Sequence, residues 1–212
     1  MKRTKNPHPA PPLPSHAPGM RIGLLGGSFN PPHAAHRMIS LIALKRLGLD
    51  QVWWLVTPGN PLKDNSALPD PLARRAQAVE MANHPRIKVS LIEDAIGTRY
   101  TYDTLAWLKA RHPTVHFVWL MGADNLLGFH RWFRWNDIIS IMPMAVFDRP
   151  GSTLSAARAH AALAFGQFRN KESSAKNLVL SKKPAWIFFH GRRSGLSSTE
   201  LRDRRKNTDN KD

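Results

Sequence analysis

The chain has no cysteine. Disulfides, thiolate metal sites and a cysteine nucleophile are therefore excluded, and any chemistry must come from other side chains. Acidic residues are scarce: 15 Asp and Glu stand against 31 Lys and Arg, a formal net charge of +16 over 212 residues. Such a balance suits anionic partners, whether nucleotides, nucleic acid or acidic lipid, and a uniform basic excess also serves solubility alone. Tyrosine is nearly missing, with two residues, yet seven tryptophans and nine phenylalanines supply large apolar side chains for the core of one ordinary domain. No apolar run approaches the ~20 residues that span a bilayer, so no membrane association is expected. The basic N-terminus is followed by prolines rather than an apolar segment, so it does not read as a secretory signal. A reducing, cytoplasmic location is expected.

What is present is organised around residues 20–36, M-R-I-G-L-L-G-G-S-F-N-P-P-H-A-A-H. The apolar run from Ile22 to Leu25 ends in Gly26 and Gly27, which free the backbone to turn and to approach a ligand closely. Pro31 and Pro32 then hold the chain extended. A helical pattern begins at Ala34, so His33 and His36 fall on its first turn and on one face. The N-terminus of a helix offers unpaired N–H groups and partial positive charge, which suits phosphate. A glycine pair alone is an ordinary tight turn, and His-x-x-His alone is common. Strand, glycines and both histidines in one short stretch point to an anion site.

Residues 1–19 are rich in proline and read as a disordered, basic, low-complexity tail, with His8 and His16 idle. Strands are expected at 21–26, 51–57, 87–92, 115–121, 145–147 and 186–190, with helices over 34–47, 70–83, from about Tyr102 with Thr101 as cap, and 154–165. Residues 165–181 carry a weak pattern and read as an irregular excursion. Strand, helix, strand in this order makes right-handed βαβ units and an α/β fold with a parallel sheet. Ligands in such folds bind beyond the carboxyl ends of the strands. Gly26–His36, the loop T-P-G-N-P-L-K-D-N with Lys63, and Gly122-Ala123-Asp124 all lie at that edge. There Asp124 can accept from ribose hydroxyls, hold a magnesium-bound water, or simply cap a helix. Trp132 and Trp135 have a spacing usual for core. In S-G-L-S-S-T-E-L-R, the hydroxyls of Ser197, Ser198 and Thr199 with Arg202 nearby can cap a helix or cradle a second phosphate.

Several of these stretches resemble one family. G-G-S-F-N-P-P-H-A-A-H is similar to the nucleotidyltransferase signature G-x-[ST]-F-[DN]-P-x-H-x-x-H, with Ala35 where many members have glycine. Residues 20–202 as a whole look like a bacterial nicotinate-nucleotide adenylyltransferase, with the charged residues 203–212 as a fraying tail. The resemblance implies a Rossmann-like doubly wound parallel sheet, the three-layer α/β/α nucleotidyltransferase fold. It implies transfer of adenylyl from ATP to nicotinate mononucleotide, giving deamido-NAD and pyrophosphate in NAD biosynthesis.

By that resemblance His33, His36, Lys63 and Arg202 carry the catalysis. Gly26, Gly27, Ser28, Phe29, His36, Gly122, Asp124, Ser197, Ser198, Thr199 and Arg202 hold ATP. Asn30, Lys63, Tyr100, Thr101 and Trp132 hold nicotinate mononucleotide, Trp132 lying near the pyridine ring. The stretch R-Y-T-Y-D-T-L resembles the family's S-Y-T-x-D-T-L, with Arg99 in place of serine, where it either adds a contact to the substrate carboxylate or points to solvent. Magnesium is expected mainly through the ATP phosphates, with no protein metal cage. A homo-oligomer is compatible with the family. The alternatives are another adenylyl- or cytidylyltransferase, such as the pantetheine-phosphate enzyme, which usually has threonine where this chain has His33, or a basic nucleic-acid-binding protein. The second is disfavoured because the aromatics lie in apolar runs rather than among the basic residues.

Overall fold

The computed structural model describes residues 13–59, 61–62, 64–148 and 158–190. In chain order the elements are β1 (Arg21–Gly27), α1 (Ala34–Arg46), β2 (Gln51–Val56), α2 (Pro71–Ala82), β3 (Ile87–Ser90), α3 (Ile92–Ala95) and α4 (Thr101–Arg111). Then come β4 (His116–Gly122), α5 (Ala123–Gly128), α6 (Trp135–Ile141), β5 (Met144–Phe147), α7 (His160–Ala164), β6 (Arg169–Asn170) and β7 (Trp186–Phe189). The described strands form one sheet in the order β3-β2-β1-β4-β5-β7-β6, and every pairing is parallel.

The apolar runs build this sheet because both of its faces are covered. Along β2 the side chains alternate: Trp53 and Leu55 enter one core, while Val52, Trp54 and Val56 enter the other. The first core packs α4, α5 and α6 against the sheet. The second packs α1, α2 and the 3₁₀ turns of Glu172–Leu180. Trp53, Trp54, Trp119 and Trp186 are all fully buried and account for much of the interior.

Local chemistry sets the ends of the helices. Asp70 caps α2, its carboxylate accepting from the N–H of Leu72 and Ala73, and Pro71 occupies the first turn. Asn83 ends α2 in the left-handed region at φ 33°. Gly48 does the same after α1, at φ 63°.

Four details differ from expectation. Helix α4 opens one residue early, so Thr101 is its first helical residue and Tyr100 sits at the cap position. Strand β3 stops at Ser90, and its hydroxyl accepts from the Ile92 N–H where α3 begins. Of the helix expected over 154–165, residues 154–157 lie outside the described residues and the helical turn is His160–Ala164. The excursion over 165–181 contains 3₁₀ turns and the short edge strand β6.

Residues 13–19 are not loose. His16 hydrogen-bonds His112 at 3.0 Å and stands edge-on to Trp53, Gly19 N–H donates to Thr114 O, and the Gln51 amide donates to Ser15 O. This segment crosses the amino ends of β2 and β4. Burial, then His16 and Arg111, hold the His112 pKa below its usual 6.5.

The carboxyl ends lie level with one another. Gly27 pairs with Val56, Leu25 with Leu120, Gly122 with Phe147, and Phe147 with Phe189. Strands β1, β2, β4, β5 and β7 therefore all end at one edge of the sheet.

Candidate active site

The turn after β1 is where the structure departs most instructively from the glycine expectation. Gly26 and Gly27 lie within the strand. The left-handed residue of the turn is Phe29, at φ 47°. Holding phenylalanine there costs about 1 kcal/mol or more. Burial offsets it: the ring is 1 % exposed, stacks on Trp54 at 5.0 Å and 11°, and lies 4.8 Å from the ring of His36. Gly26 serves packing in a direct way, because a Cβ there would come 2.5 Å from Cη2 of Trp119. Its small size makes room for an indole.

His33 occupies the cap position of α1 with extended backbone, and His36 sits one turn on. Their rings stack with centroids 3.8 Å apart, and both residues are buried. His33 N–H donates to Nδ1 of His36 at 3.3 Å. A backbone N–H can only donate, so Nδ1 of neutral His36 is an acceptor and its proton sits on Nε2. The ring is thereby fixed as an Nε2–H donor. Its backbone is fixed too: Trp54 Nε1 donates to Ser40 Oγ at 2.8 Å, and Ser40 Oγ donates to His36 O at 2.8 Å. The first turn of α1 carries no acidic residue, while Lys45 and Arg46 occupy its last turn. The positive end of the helix dipole is thus left without a carboxylate from its own first turn, as an anion site requires.

The other expected residues fall at the same edge or beside it. Ser28 follows β1 and offers its carbonyl to Arg74. Asn30 precedes Pro31 across a cis peptide. Gly122 ends β4 and caps α5, with Asp124 exposed in the first turn of that helix rather than at the cap. Tyr100 packs on Phe133 at 4.7 Å, which joins the start of α4 to the segment carrying Trp132. Trp132 stands edge-on to Trp119 at 6.3 Å and to Phe129 at 5.3 Å. Trp119, which fills the space beside Gly26, therefore links the β1 turn to Trp132. Lys63, Ser197, Ser198, Thr199 and Arg202 lie outside the described residues. A cleft of about 390 Å³ opens between α1 and the ends of β5 and β7, lined by Ile42, Phe147 and Phe189 with Lys45, Asp148 and His190.

Two residues that the motifs did not single out stand behind this edge. Arg74 is 1 % exposed. It lies on the same inward stripe of α2 as Ala78 and Ala82, a cation in an otherwise small, apolar row, and that spacing was the available signal. Burial lowers its pKa, yet a guanidinium keeps its proton at any pH the protein meets. Glu93, in α3, is buried as well. Burial pushes its pKa up from 4.5 to about 7, against side-chain hydrogen bonds shared with Thr57 and Thr104. Nothing in its local sequence marks it.

Comparison with known proteins agrees with this geometry. A family model described as cytidylyltransferase-like matches residues 24–204. A protein of Methylorubrum extorquens named "Probable nicotinate-nucleotide adenylyltransferase" is 58 % identical over 185 residues, covering 87 % of this chain and all of that one. A protein of the same name from Agrobacterium fabrum is 54 % identical over 187 residues, covering 88 % and 100 %. Among solved structures, the nicotinic acid mononucleotide adenylyltransferase of Plasmodium falciparum complexed with APC superimposes with a TM-score of 0.63 at 19 % identity, over 87 % of this chain and 83 % of that one. The same enzyme complexed with NaAD gives 0.62 over the same shares. The structural matches support the Rossmann-like three-layer fold.

Proposed function

The chain belongs to the cytidylyltransferase-like family and, within it, to the nicotinate-nucleotide adenylyltransferases, and from that premise we infer how its residues carry the reaction. The enzyme transfers the adenylyl group of ATP to nicotinate mononucleotide. A 5′-phosphate oxygen of the nucleotide attacks the α-phosphorus of ATP. A bond forms between them, the bond from the α-phosphorus to the bridging oxygen breaks, and pyrophosphate leaves with the electron pair. The products are deamido-NAD and pyrophosphate, a step of NAD biosynthesis.

The attacking phosphate is already anionic near neutral pH, so no side-chain nucleophile is needed. The protein contributes position and charge. The observation that carries this reading is the stacked His33–His36 pair at the N-terminus of α1, with the proton of His36 held on Nε2. From there the imidazole donates to a phosphate oxygen of ATP, and the donor is in place before charge develops in the transition state. Lys63 and Arg202 add fixed positive charge, and Ser197, Ser198 and Thr199 hold the β,γ end. Gly122 and Asp124 face the adenosine ribose, and the apolar cleft beside Phe147 and Phe189 suits the adenosine half. Asn30, Tyr100, Thr101 and Trp132 bound the nicotinate side.

The described residues contain no group of three or more His, Asp or Glu arranged as a metal cage. Magnesium is proposed to arrive on ATP, where it would neutralise phosphate charge, and Asp124 would hold one of its waters. No helix of the described residues is long and apolar enough to cross a membrane. We place the enzyme in the cytoplasm with its substrates.

The test is pyrophosphate release with ATP and magnesium, comparing nicotinate mononucleotide, nicotinamide mononucleotide and phosphopantetheine as acceptors. Release driven by the nicotinate compound is expected. Preference for phosphopantetheine would move the chain elsewhere in the family, and no release with any acceptor would refute the reading.

A further inference from the structure

Arg74 makes no ion pair among the described residues, yet its guanidinium is buried at the back of the site. Nη1 donates to Ser28 O at 2.7 Å and to Thr57 O at 2.8 Å, and Nε donates to Pro69 O at 2.8 Å. Those carbonyls belong to three separate pieces of chain. Ser28 opens the turn that delivers Phe29, His33 and His36. Thr57 opens the loop after β2 that leads to Lys63. Pro69 closes that loop at the start of α2. Carbonyl oxygens at the end of a parallel strand have no ladder partner beyond the last pair, and burial without a partner is costly. The Nη1 amino group bridges both strand ends while Nε of the same rigid plane reaches Pro69 O, a three-point pattern over two nitrogens that a single ammonium on a flexible stem does not reproduce.

A second grip starts at the same residue. The Thr57 hydroxyl donates to Gly59 O at 3.0 Å and contacts the Glu93 carboxyl, which also receives Thr104 Oγ1 at 3.4 Å. Thr104 is one turn into α4, beside Tyr100 and Thr101. Thr57 is therefore held from both sides, by Arg74 toward the phosphate turn and by Glu93 toward the nicotinate side.

We propose that Arg74 is a positioning residue for adenylyl transfer: its guanidinium sets the spacing between the His33–His36 turn and the loop after β2, and through Thr57 ties both to the start of α4. It touches neither substrate. It acts by holding the two anionic groups in line at the moment of attack. The inference rests on the adenylyl-transfer reading, with one arm of its test independent of turnover.

The variants are Arg74→Met, which keeps the bulk without donors, and Arg74→Lys, which keeps the charge without the fork. All rates are taken well below each variant's melting temperature and corrected to the folded fraction. For Arg74→Met we expect kcat to fall roughly 100-fold, the cost of misplacing reacting groups by about 1 Å, with KM for both substrates moving by less than about threefold. Arg74→Lys falls in between. A purely structural role would lower the melting temperature and leave kcat of the folded enzyme unchanged, and that result overturns the proposal.

The second arm reads the clamp by hydrogen exchange in the ligand-free protein. In Arg74→Lys, peptides covering 28–36 and 57–68 should exchange at least about tenfold faster while β4 and β5 keep their protection. Unchanged exchange at those peptides overturns the proposal too, whether or not the wild-type enzyme turns over. Failure of wild-type pyrophosphate release alone would count against the reaction and leave this arm to decide the clamp.

Discussion

Replacing Glu93 by glutamine should flatten the pH dependence of stability over one defined window. The carboxyl is buried against Thr57 and Thr104, and burial lifts its pKa from 4.5 to about 7. Below pH 4.5 the folded and unfolded chains both hold the proton, and the group adds no slope. Between 4.5 and 7 the unfolded chain releases it while the fold retains it, so stability is lost as pH rises. Above about 7 the loss is complete. The gap between 4.5 and about 7, at about 1.4 kcal/mol per pH unit, comes to about 3 kcal/mol. No discount for solvent screening applies, because the group is buried. Glutamine has similar size and keeps an acceptor oxygen but does not titrate. Urea denaturation of both proteins at pH 4, 5, 6, 7 and 8 should give a stability difference that grows in favour of Glu93→Gln by about 3 kcal/mol across the series and then levels. The difference cancels every other titrating group, His112 included. Parallel curves would refute the assignment of a buried, near-neutral carboxyl, and a difference growing toward acid would reverse its sign.

Three further outcomes follow from named contacts. His36→Ala removes the fixed Nε2–H donor and should cut kcat at least about 100-fold while a cooperative melt persists; near-normal turnover in the pyrophosphate assay would sink its role. Gly26→Ala drives a Cβ to within 2.5 Å of the Trp119 indole and should cost about 1–3 kcal/mol by urea denaturation, with a change in tryptophan emission as the ring yields. Ser40→Ala leaves Trp54 Nε1 buried without its acceptor and should cost about 1–3 kcal/mol, again by urea, with KM for ATP rising as His36 loses its anchor.

Strands β1, β2 and β4 were legible in the sequence because a strand covered on both faces needs an unbroken apolar run, and I-G-L-L, V-W-W-L-V and F-V-W-L-M supply it. His33 and His36 were legible because helical spacing alone puts them on one turn. The turn that leads into them was not. Positive φ is normally read from glycine, and here a phenylalanine adopts it under the hold of a tryptophan from another strand. Gly26 was visible, but its reason was not, since the indole that fills its place comes from Trp119, distant in the chain. Thr101 looked like a cap from its hydroxyl, yet α4 starts one residue earlier and turns it into a helical residue. His16 looked idle within a proline-rich stretch, and its partners His112 and Trp53 arrive only with the fold. Arg74 and Glu93 share that difficulty: a buried charge is defined by the carbonyls and hydroxyls brought around it, and those come from residues 28, 57, 69 and 104.

The clasp formed by residues 13–19 has a practical meaning. It fastens the incoming chain beside Gln51, His112 and Thr114, at the amino ends of the strands, whereas His33, His36 and Asp124 open from the carboxyl ends. The sheet's own thickness stands between the point of entry and the point of chemistry. Leu13 therefore meets the fold at the pole opposite the candidate site, and an enzyme held through Leu13 would turn its open edge toward the solution.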